Sequence, residues 1–311
     1  MRLNVGVCYT KNTEHGTLVC NSFLQGVAAC GDTATKIHVS NAKDADKCDV
    51  IVTCCIYNRL GRDGRYARFR KRIELLPVPK LCMDVGFVRN PREVAIQDAY
   101  MAVGIGGIKR GAVYANANSP PDRWNALQIP LQPWRRKGRH VLLLGQVENG
   151  SSTQHLNGGS EWMQRVLREL PQYTQRPIVV RTHPNDKDIR LPQYVQVTPP
   201  GESLSKSLEN AWCAVTLTSN AAVWAIINGI PVIAMDPLSM AWPLAFHQLS
   251  AIEEDLKTHP FAAHPHGESS YSREQWAYDL AYAQWTPAEL RKGLAWQHFR
   301  KRLISVLSSP E

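Results

Sequence analysis

The sequence predicts an α/β protein made of two doubly wound halves, and three observations predict it. In each half, short and nearly continuous apolar runs alternate with segments whose apolar residues recur at helical spacing. That is the pattern of parallel sheets covered by helices on both faces. Between the halves, residues 104–138 are rich in Gly, Pro and Asn and read as a linker. The length, 311 residues, suits two domains of ordinary size.

Each element follows from its own residues. LNVGVCY (3–9) reads as a buried strand, and TLVCNSFLQGVAAC as a helix that ends at Gly31, a C-cap residue. TKIHVS, KCDVIVTCCIY and VPKLCMDVGF read as the second, third and fourth strands. The second half repeats this logic. RHVLLLGQ, RPIVVRTHP, YVQVTPP, WCAVTLTS and IPVIAMD read as strands, separated by the helical segments GSEWMQRVLREL, SLSKSLENA and NAAVWAIING. TPAELRKGLAWQHFRKRLISVL reads as one terminal helix, with Thr286 as N-cap, Pro287 at the first helical position and Glu289 completing a capping box. The expected domains are therefore 1–133, 134–283 and a C-terminal helix over 284–311.

Composition narrows the class. At 44% hydrophobic and 20% charged, the chain can build real cores and is not of disordered composition. Seven of its eight cysteines precede residue 83, mostly in apolar runs, and no Cys-x-x-Cys occurs. This argues against zinc ribbons and for buried free thiols in a reducing cytoplasm. MRLNVGVCYT lacks a signal peptide's apolar core, and the long uncharged stretch 211–235 is too polar for a membrane span. The net charge of +9 points to an anionic partner, whether nucleic acid, an acidic membrane surface or a phosphorylated substrate.

In a parallel α/β sheet, ligands bind at the carboxyl ends of the strands, so candidate site residues are those that follow strands. Arg181, His183 and Pro184 follow the strand PIVV and can meet a phosphate, although a polar turn explains them equally well. Thr218, Ser219 and Asn220 follow a strand and open a helix, which sets hydroxyls and backbone N–H groups where an anion is favoured. A capped helix needs the same residue types. Gly145 and Gln146 end the first strand of the second half ahead of a Gly/Ser-rich loop that matches neither a Walker nor a dinucleotide pattern.

GQ, RTHP and TSNAAVWAIINGIPV together resemble the C-terminal half of capsule polysaccharide synthesis glycosyltransferases. The wider pattern, with SPPDRW (119–124) and QWTPAELRKGLAW (284–296), resembles bacteriophage glycosyltransferases that modify hydroxymethylated bases in DNA. The resemblance implies a GT-B fold: two Rossmann-like doubly wound domains facing a cleft, with the C-terminal helix crossing back. It also implies that His183 with Pro184 and Thr218 with Ser219 hold the nucleotide of a sugar donor, a UDP-sugar in preference to a CMP-sugar, with no cofactor and no metal. Trp224 stands where the family helix often carries an acid that binds the donor ribose.

The N-terminal half would then carry the acceptor and a general base. Glu14 and His15 lie in the loop after the first strand, Asp84 follows the fourth, and Asp98 sits in the helix-like IQDAYM. His15 suits base chemistry because an imidazole titrates near neutral pH. The segment 58–72 holds Arg59, Arg62, Arg65, Arg68, Arg70, Lys71 and Arg72, interleaved with Tyr66 and Phe69. Its arginines can pair with phosphates and its rings can stack on a base, and RRKGR and FRKR would extend a positive rim for double-stranded DNA. A solvated helix face is the plainer reading of the same run.

Three functions stay open at this level. The chain transfers a sugar from a nucleotide sugar to a hydroxymethylated pyrimidine in DNA, transfers it to a capsule or lipid-linked glycan, or binds a nucleotide without transfer.

Overall fold

The computed structural model describes residues 1–9, 14–54, 64–91, 93–116, 118–146, 159–183, 191–258 and 271–308. The chain forms two compact units: Met1–Arg123 with Ala277–Glu311, and Trp124–Trp276. The divisions fall at 123/124 and 276/277, where the sequence reading placed them at 133/134 and 283/284.

The first unit opens with β1 (Asn4–Tyr9), α1 (Glu14–Ala29) and β2 (Thr33–His38). After a 3-10 segment at Val39–Lys47 come β3 (Val50–Cys54), α2 (Gly64–Leu75), β4 (Lys80–Val85) and β5 (Met101–Ile105). Residues 104 and 105, at the start of the expected linker, are thus strand, and Val113 bridges back to it. β5 lies antiparallel to β4, and Ile105 pairs with Val113. α3 (Asp122–Leu127) spans the first division.

The second unit contains β6 (His140–Leu144), α4 (Gly159–Glu169), β7 (Ile178–Arg181), β8 (Gln196–Val197) and α5 (Leu204–Leu208). It continues through β9 (Ala211–Thr216), α6 (Ala221–Ile227), β10 (Val232–Ala234) and α7 (Glu254–Thr258). α8 (Arg273–Tyr282) spans the second division, and β11 (Gln284–Trp285), α9 (Pro287–Arg291) and α10 (Leu294–Ser308) complete the first unit.

The first sheet has the order β11-β5-β4-β3-β1-β2, parallel from β4 to β2, and the second the all-parallel order β10-β9-β6-β7-β8. Their inner strands are buried on both faces, which explains the unbroken apolar runs: every residue of β3 and of β9 is buried, whereas the edge strands β2 and β8 are largely exposed. Six of the seven described cysteines are buried free thiols.

The C-terminal segment packs on α1. Trp296, Phe299 and Leu303 of α10 join Phe23 and Val27 of α1 in one core. At the crossing, a Cβ on Gly26 would lie 1.9 Å from the Leu290 carbonyl oxygen, so only glycine allows the approach. The expected single terminal helix is two helices, because Gly293 takes a φ of +79° between α9 and α10 and turns the chain beneath Cys30. The Thr286–Glu289 capping box is present, with Thr286 N donating to Glu289 at 2.8 Å. Gly31, the expected C-cap of α1, has a φ of +83°.

Candidate functional site

In the second sheet, the chain order of strands reverses between β6 and β9. Strand connections leave that junction in opposite directions and open a crevice at the carboxyl edge, the position at which open α/β sheets take ligands. Gln146 and Thr218 occupy it. Thr216, Leu144, Arg181 and Ala234 stand in register across the four strands. Two residues further along each strand are Thr218, Gln146, His183 and Asp236. Three candidates widely separated in sequence therefore lie just past the ends of adjacent strands, with Asp236 in the equivalent position after β10.

Gln146 and Thr218 are locked together. The Gln146 side-chain amide donates to Thr218 Oγ1 at 2.8 Å, and Thr218 N donates to Gln146 Oε1 at 2.7 Å. Both are buried, where an unmatched amide would cost about 1–3 kcal/mol. Ser219 N donates to Thr216 Oγ1 at 3.0 Å. Two of the backbone N–H groups expected to be open to an anion are thus engaged within the protein. Ser219 itself is half-buried, and its hydroxyl accepts weakly from Ala221 N at 3.4 Å, so its O–H can still donate. Asn220 precedes α6 in helical conformation without a side-chain cap bond. Capping therefore does not explain it.

Gly145 is fixed by space: a Cβ there would lie 2.9 Å from Met163 and 3.0 Å from the Arg181 carbonyl. Arg181 turns along the sheet toward α5 and donates to Ser207 Oγ at 2.7 Å, which in turn donates to Glu202 at 2.8 Å. Burial lowers the Arg181 guanidinium from its usual range, and Glu202 opposes the shift. Thr182 and His183 are half-buried at the end of β7. Pro184 lies outside the described residues.

In the first unit, the parallel strand order reverses between β1 and β3, and His15 lies in the first turn of α1, the helix that follows β1. His15 Nε2 is buried with no hydrogen-bond partner among the described residues, and burial holds the imidazole below its ordinary value of 6.5. Glu14, beside it, is exposed. Asp84 is buried at the end of β4, where its Oδ1 accepts from Val85 N at 2.8 Å. It caps no helix, since the following residues form bends. Asp98 is exposed in a turn and not in a helix: Asp98 N donates to the Ala95 carbonyl at 2.9 Å.

The basic segment is divided. Arg59 and Arg62 lie outside the described residues. Arg65, Arg68, Arg70, Lys71 and Arg72 are carried by α2. Lys71 is exposed, and Arg72 pairs with Asp46. Phe69 is buried with Cys8, Ile37, Ile51 and Ile73, so it serves the core and does not stack on a base. Of the further clusters, Arg136, Lys137, Arg139, Lys301 and Arg302 are exposed. Arg135 donates to the Leu208 and Ala211 carbonyls, and Arg300 binds Asp32.

SPPDRW and QWTPAELRKGLAW meet within the first unit. Arg123 donates to both Glu289 oxygens at 2.6 and 3.2 Å and to the Gln284 carbonyl at 2.9 Å, while its guanidinium lies 4.2 Å from the Trp285 ring center. Tyr282 donates to Asp122 at 2.9 Å, and Asp279 accepts from Ser119 N at 2.9 Å. Gln284 and Asp84 both pair with Ala102, and Gln284 Oε1 accepts from Phe87 N and Val88 N, which fixes the exit of β4. Sequence reading passed over Gln284 and Asp236. Asp236 ends the run IPVIAMD, and its position after a strand is the signal that could have found it.

Among the described residues, no group of three or more His, Cys, Asp or Glu is placed to hold a metal ion, and no helix is long and apolar enough to cross a membrane.

No protein-family model matches the chain, and no curated protein matches its sequence. Solved structures do match. The Thermosulfurimonas dismutans KpsC beta Kdo 2,4 transferase is similar with a TM-score of 0.51 at 14% identity, over 81% of this chain and 89% of that one. The KpsC beta Kdo 2,7 transferase of the same organism gives 0.46 at 15%, over 75% and 78%. The Methanocaldococcus jannaschii UDP-GlcNAc 2-epimerase gives 0.35 at 8%, over 82% and 93%. At such identities the likeness to the first shows the fold, and with the two sheets it is α/β of the GT-B type, two Rossmann-like units.

Proposed function

We propose that the chain is a glycosyltransferase that takes its sugar from a nucleotide-sugar donor, a UDP-sugar in preference to a CMP-sugar, held by the second unit. The Gln146–Thr218 pair at the strand reversal, with His183 at the exit of the adjacent strand β7, carries this reading. The Gln146–Thr218 lock makes a rigid wall of the crevice. His183 and the Ser219 hydroxyl supply donors suited to a diphosphate, and the same donors stabilise the charge that grows on the leaving nucleotide. Glycosyl transfer is also the activity named for the Thermosulfurimonas protein of like fold.

The acceptor we propose is the hydroxymethyl group of a modified pyrimidine in double-stranded DNA. In an inverting transfer, the hydroxymethyl oxygen bonds to the anomeric carbon as the bond from that carbon to the phosphate oxygen breaks. The nucleoside diphosphate leaves with the electron pair, and His15 Nε2 takes the hydroxyl proton. A neutral imidazole is required, and burial favours it. The net charge of +9, the exposed Lys71, Arg136, Lys137, Arg139, Lys301 and Arg302, and the motifs at 119–124 and 284–296 support DNA. A base inside a duplex would have to be flipped out to react.

A glycan acceptor is the second reading, favoured by the named activity of the same neighbour. The test mixes purified protein with a panel of uridine and cytidine sugar nucleotides, with and without hydroxymethylcytosine DNA, and reads nucleotide release and DNA mass. A sugar-sized mass gain on modified DNA alone, abolished in His183→Ala, is expected. Nucleotide release without a DNA mass gain moves the acceptor to a glycan, and no release with any donor leaves a nucleotide-binding protein.

A further inference from the structure

The loop that leaves β4 is held at each residue from Gly86 to Asn90. Gly86 N donates to the carbonyl of Tyr100, the residue before β5, and Tyr100 N donates to the Arg89 carbonyl, both at 3.0 Å. Between these bonds, Phe87 N and Val88 N both donate to the buried Gln284 Oε1, at 2.9 and 3.2 Å. Asn90 Nδ2 donates to Glu93 Oε1 at 2.7 Å. This path carries Arg89 into the left-handed region, with a φ of +48°. There the Cβ crowds the backbone, a cost that glycine avoids and that asparagine bears more readily than most side chains. Asn118 and Asn210 take the same conformation elsewhere in the chain. Ala115 and Gln128 share it too, but of these residues only Arg89 lies just past the carboxyl end of a parallel strand.

The backbone of this loop would be better served by glycine or asparagine, yet it carries arginine. Strained residues persist where the surrounding structure over-determines them, and they gather at ligand sites. Exposure points the same way. From Gly86 to Asn90, Arg89 is the one residue that is not buried. The loop thus packs its other residues away and leaves a single cation at the carboxyl edge of the first sheet, the edge at which such sheets take ligands.

A guanidinium offers only donors, stays charged at every working pH, and pairs its planar fork with the oxygens of a phosphate. The anion that a DNA duplex offers is its backbone phosphodiester, and phosphate contacts are what fix a protein's position on the duplex. A base turned out of the stack moves about its own backbone, so the phosphates on either side of its nucleotide stay beside the site that receives it.

We infer that Arg89 is a further DNA-binding residue whose guanidinium takes a backbone phosphodiester next to the reacting nucleotide. This rests on the DNA reading of the acceptor above and adds to it a residue, the group it binds and the strand exit that supplies it.

The experiment is fluorescence anisotropy of a labelled hydroxymethylcytosine duplex titrated with wild type, Arg89→Asn and Arg89→Gly over a series of salt concentrations, with a thermal melt of each protein. Arg89→Asn is expected to melt at or above wild type. Arg89→Gly should melt close to it, because relief of the backbone offsets the freedom that glycine gains on unfolding. Loss of one charge-assisted contact predicts about tenfold weaker binding in both variants. The slope of log affinity against log salt should become shallower by about 0.9, the share of one phosphate. Unchanged affinity, or an unchanged salt slope, in a folded variant overturns the inference. Melts of both variants well below wild type overturn it as well, because the arginine would then serve the fold. If only one variant folds, its affinity and slope decide. Failure of wild type to bind the duplex at low salt contradicts the DNA reading itself, and the inference falls with it.

Discussion

Gln146 and Thr218, 72 residues apart in sequence, exchange two hydrogen bonds across the strand reversal of the second sheet: side-chain amide to hydroxyl at 2.8 Å, and backbone N–H to amide oxygen at 2.7 Å. The pair couples the exits of β6 and β9, so the shape of the crevice depends on both residues. Thr218→Val removes one bond and keeps the volume. It is expected to cost about 1–2 kcal/mol in urea unfolding and to weaken uridine diphosphate binding several-fold. A double-mutant cycle with Gln146→Ala should show coupling, and strictly additive effects would show that the two residues act independently.

His15 should set the acid limb of the activity. Burial depresses its pKa, so the neutral base persists to a pH below the ordinary imidazole value of about 6.5. The expected profile of kcat/KM is flat near pH 7 and falls only below that value, as the imidazole protonates. His15→Gln should lose about 100-fold or more in kcat/KM with donor affinity unchanged. An unaltered pH profile in that variant would transfer the role to Asp84.

Much of the fold could be read from local residues. Strands buried on both faces announce themselves as unbroken apolar runs, and the Thr286–Glu289 box and the turn at Gly31 are local devices that formed as expected. Long-range packing decided the rest. β5 hides in a Gly-rich stretch because Gly104 is pressed against Tyr114 and the Gly107 carbonyl, so its glycine signals close packing and not a linker. The terminal helix breaks at Gly293 because α1 lies against it. Phe69 looks like one aromatic in a basic run until α2 is placed on its sheet. The site was legible as three separate strand exits, but that these exits belong to adjacent strands, with that of Asp236 next to them, depended on strand order.

Asp32 fastens α10 to the first sheet. It accepts from Leu3 N at 2.9 Å, Trp296 Nε1 at 2.7 Å, and Arg300 at 2.6 and 3.0 Å. Burial pushes its carboxyl up, but Arg300 and the two other donors outweigh this and bring it down to about 2 from 3.8. A carboxyl depressed by folding stabilises the protein above its unfolded pKa, and the gain disappears as pH falls from about 4 to about 2. Asp32→Asn should therefore destabilise by about 2 kcal/mol at pH 7. The gap from wild type should narrow in chemical denaturation across that acid window, and a gap independent of pH would contradict the ion-pair account.

Gly26→Ala tests the crossing of α1 and α9. Its methyl would meet the Leu290 carbonyl oxygen at 1.9 Å, and neither backbone can yield cheaply. A loss of about 2–3 kcal/mol is expected from overpacking, read as a lowered melting temperature. A melt equal to wild type would show that the two helices separate at little cost.

The central claim, that a nucleotide sugar lies along the carboxyl edge of the second sheet, is tested most directly by hydrogen–deuterium exchange with and without uridine diphosphate. Slower exchange in peptides spanning the ends of β6, β7, β9 and β10, with β8 and α5 unchanged, is the predicted result. Nucleotide binding that protects other segments and leaves those four strand ends exchanging at the ligand-free rate would contradict it.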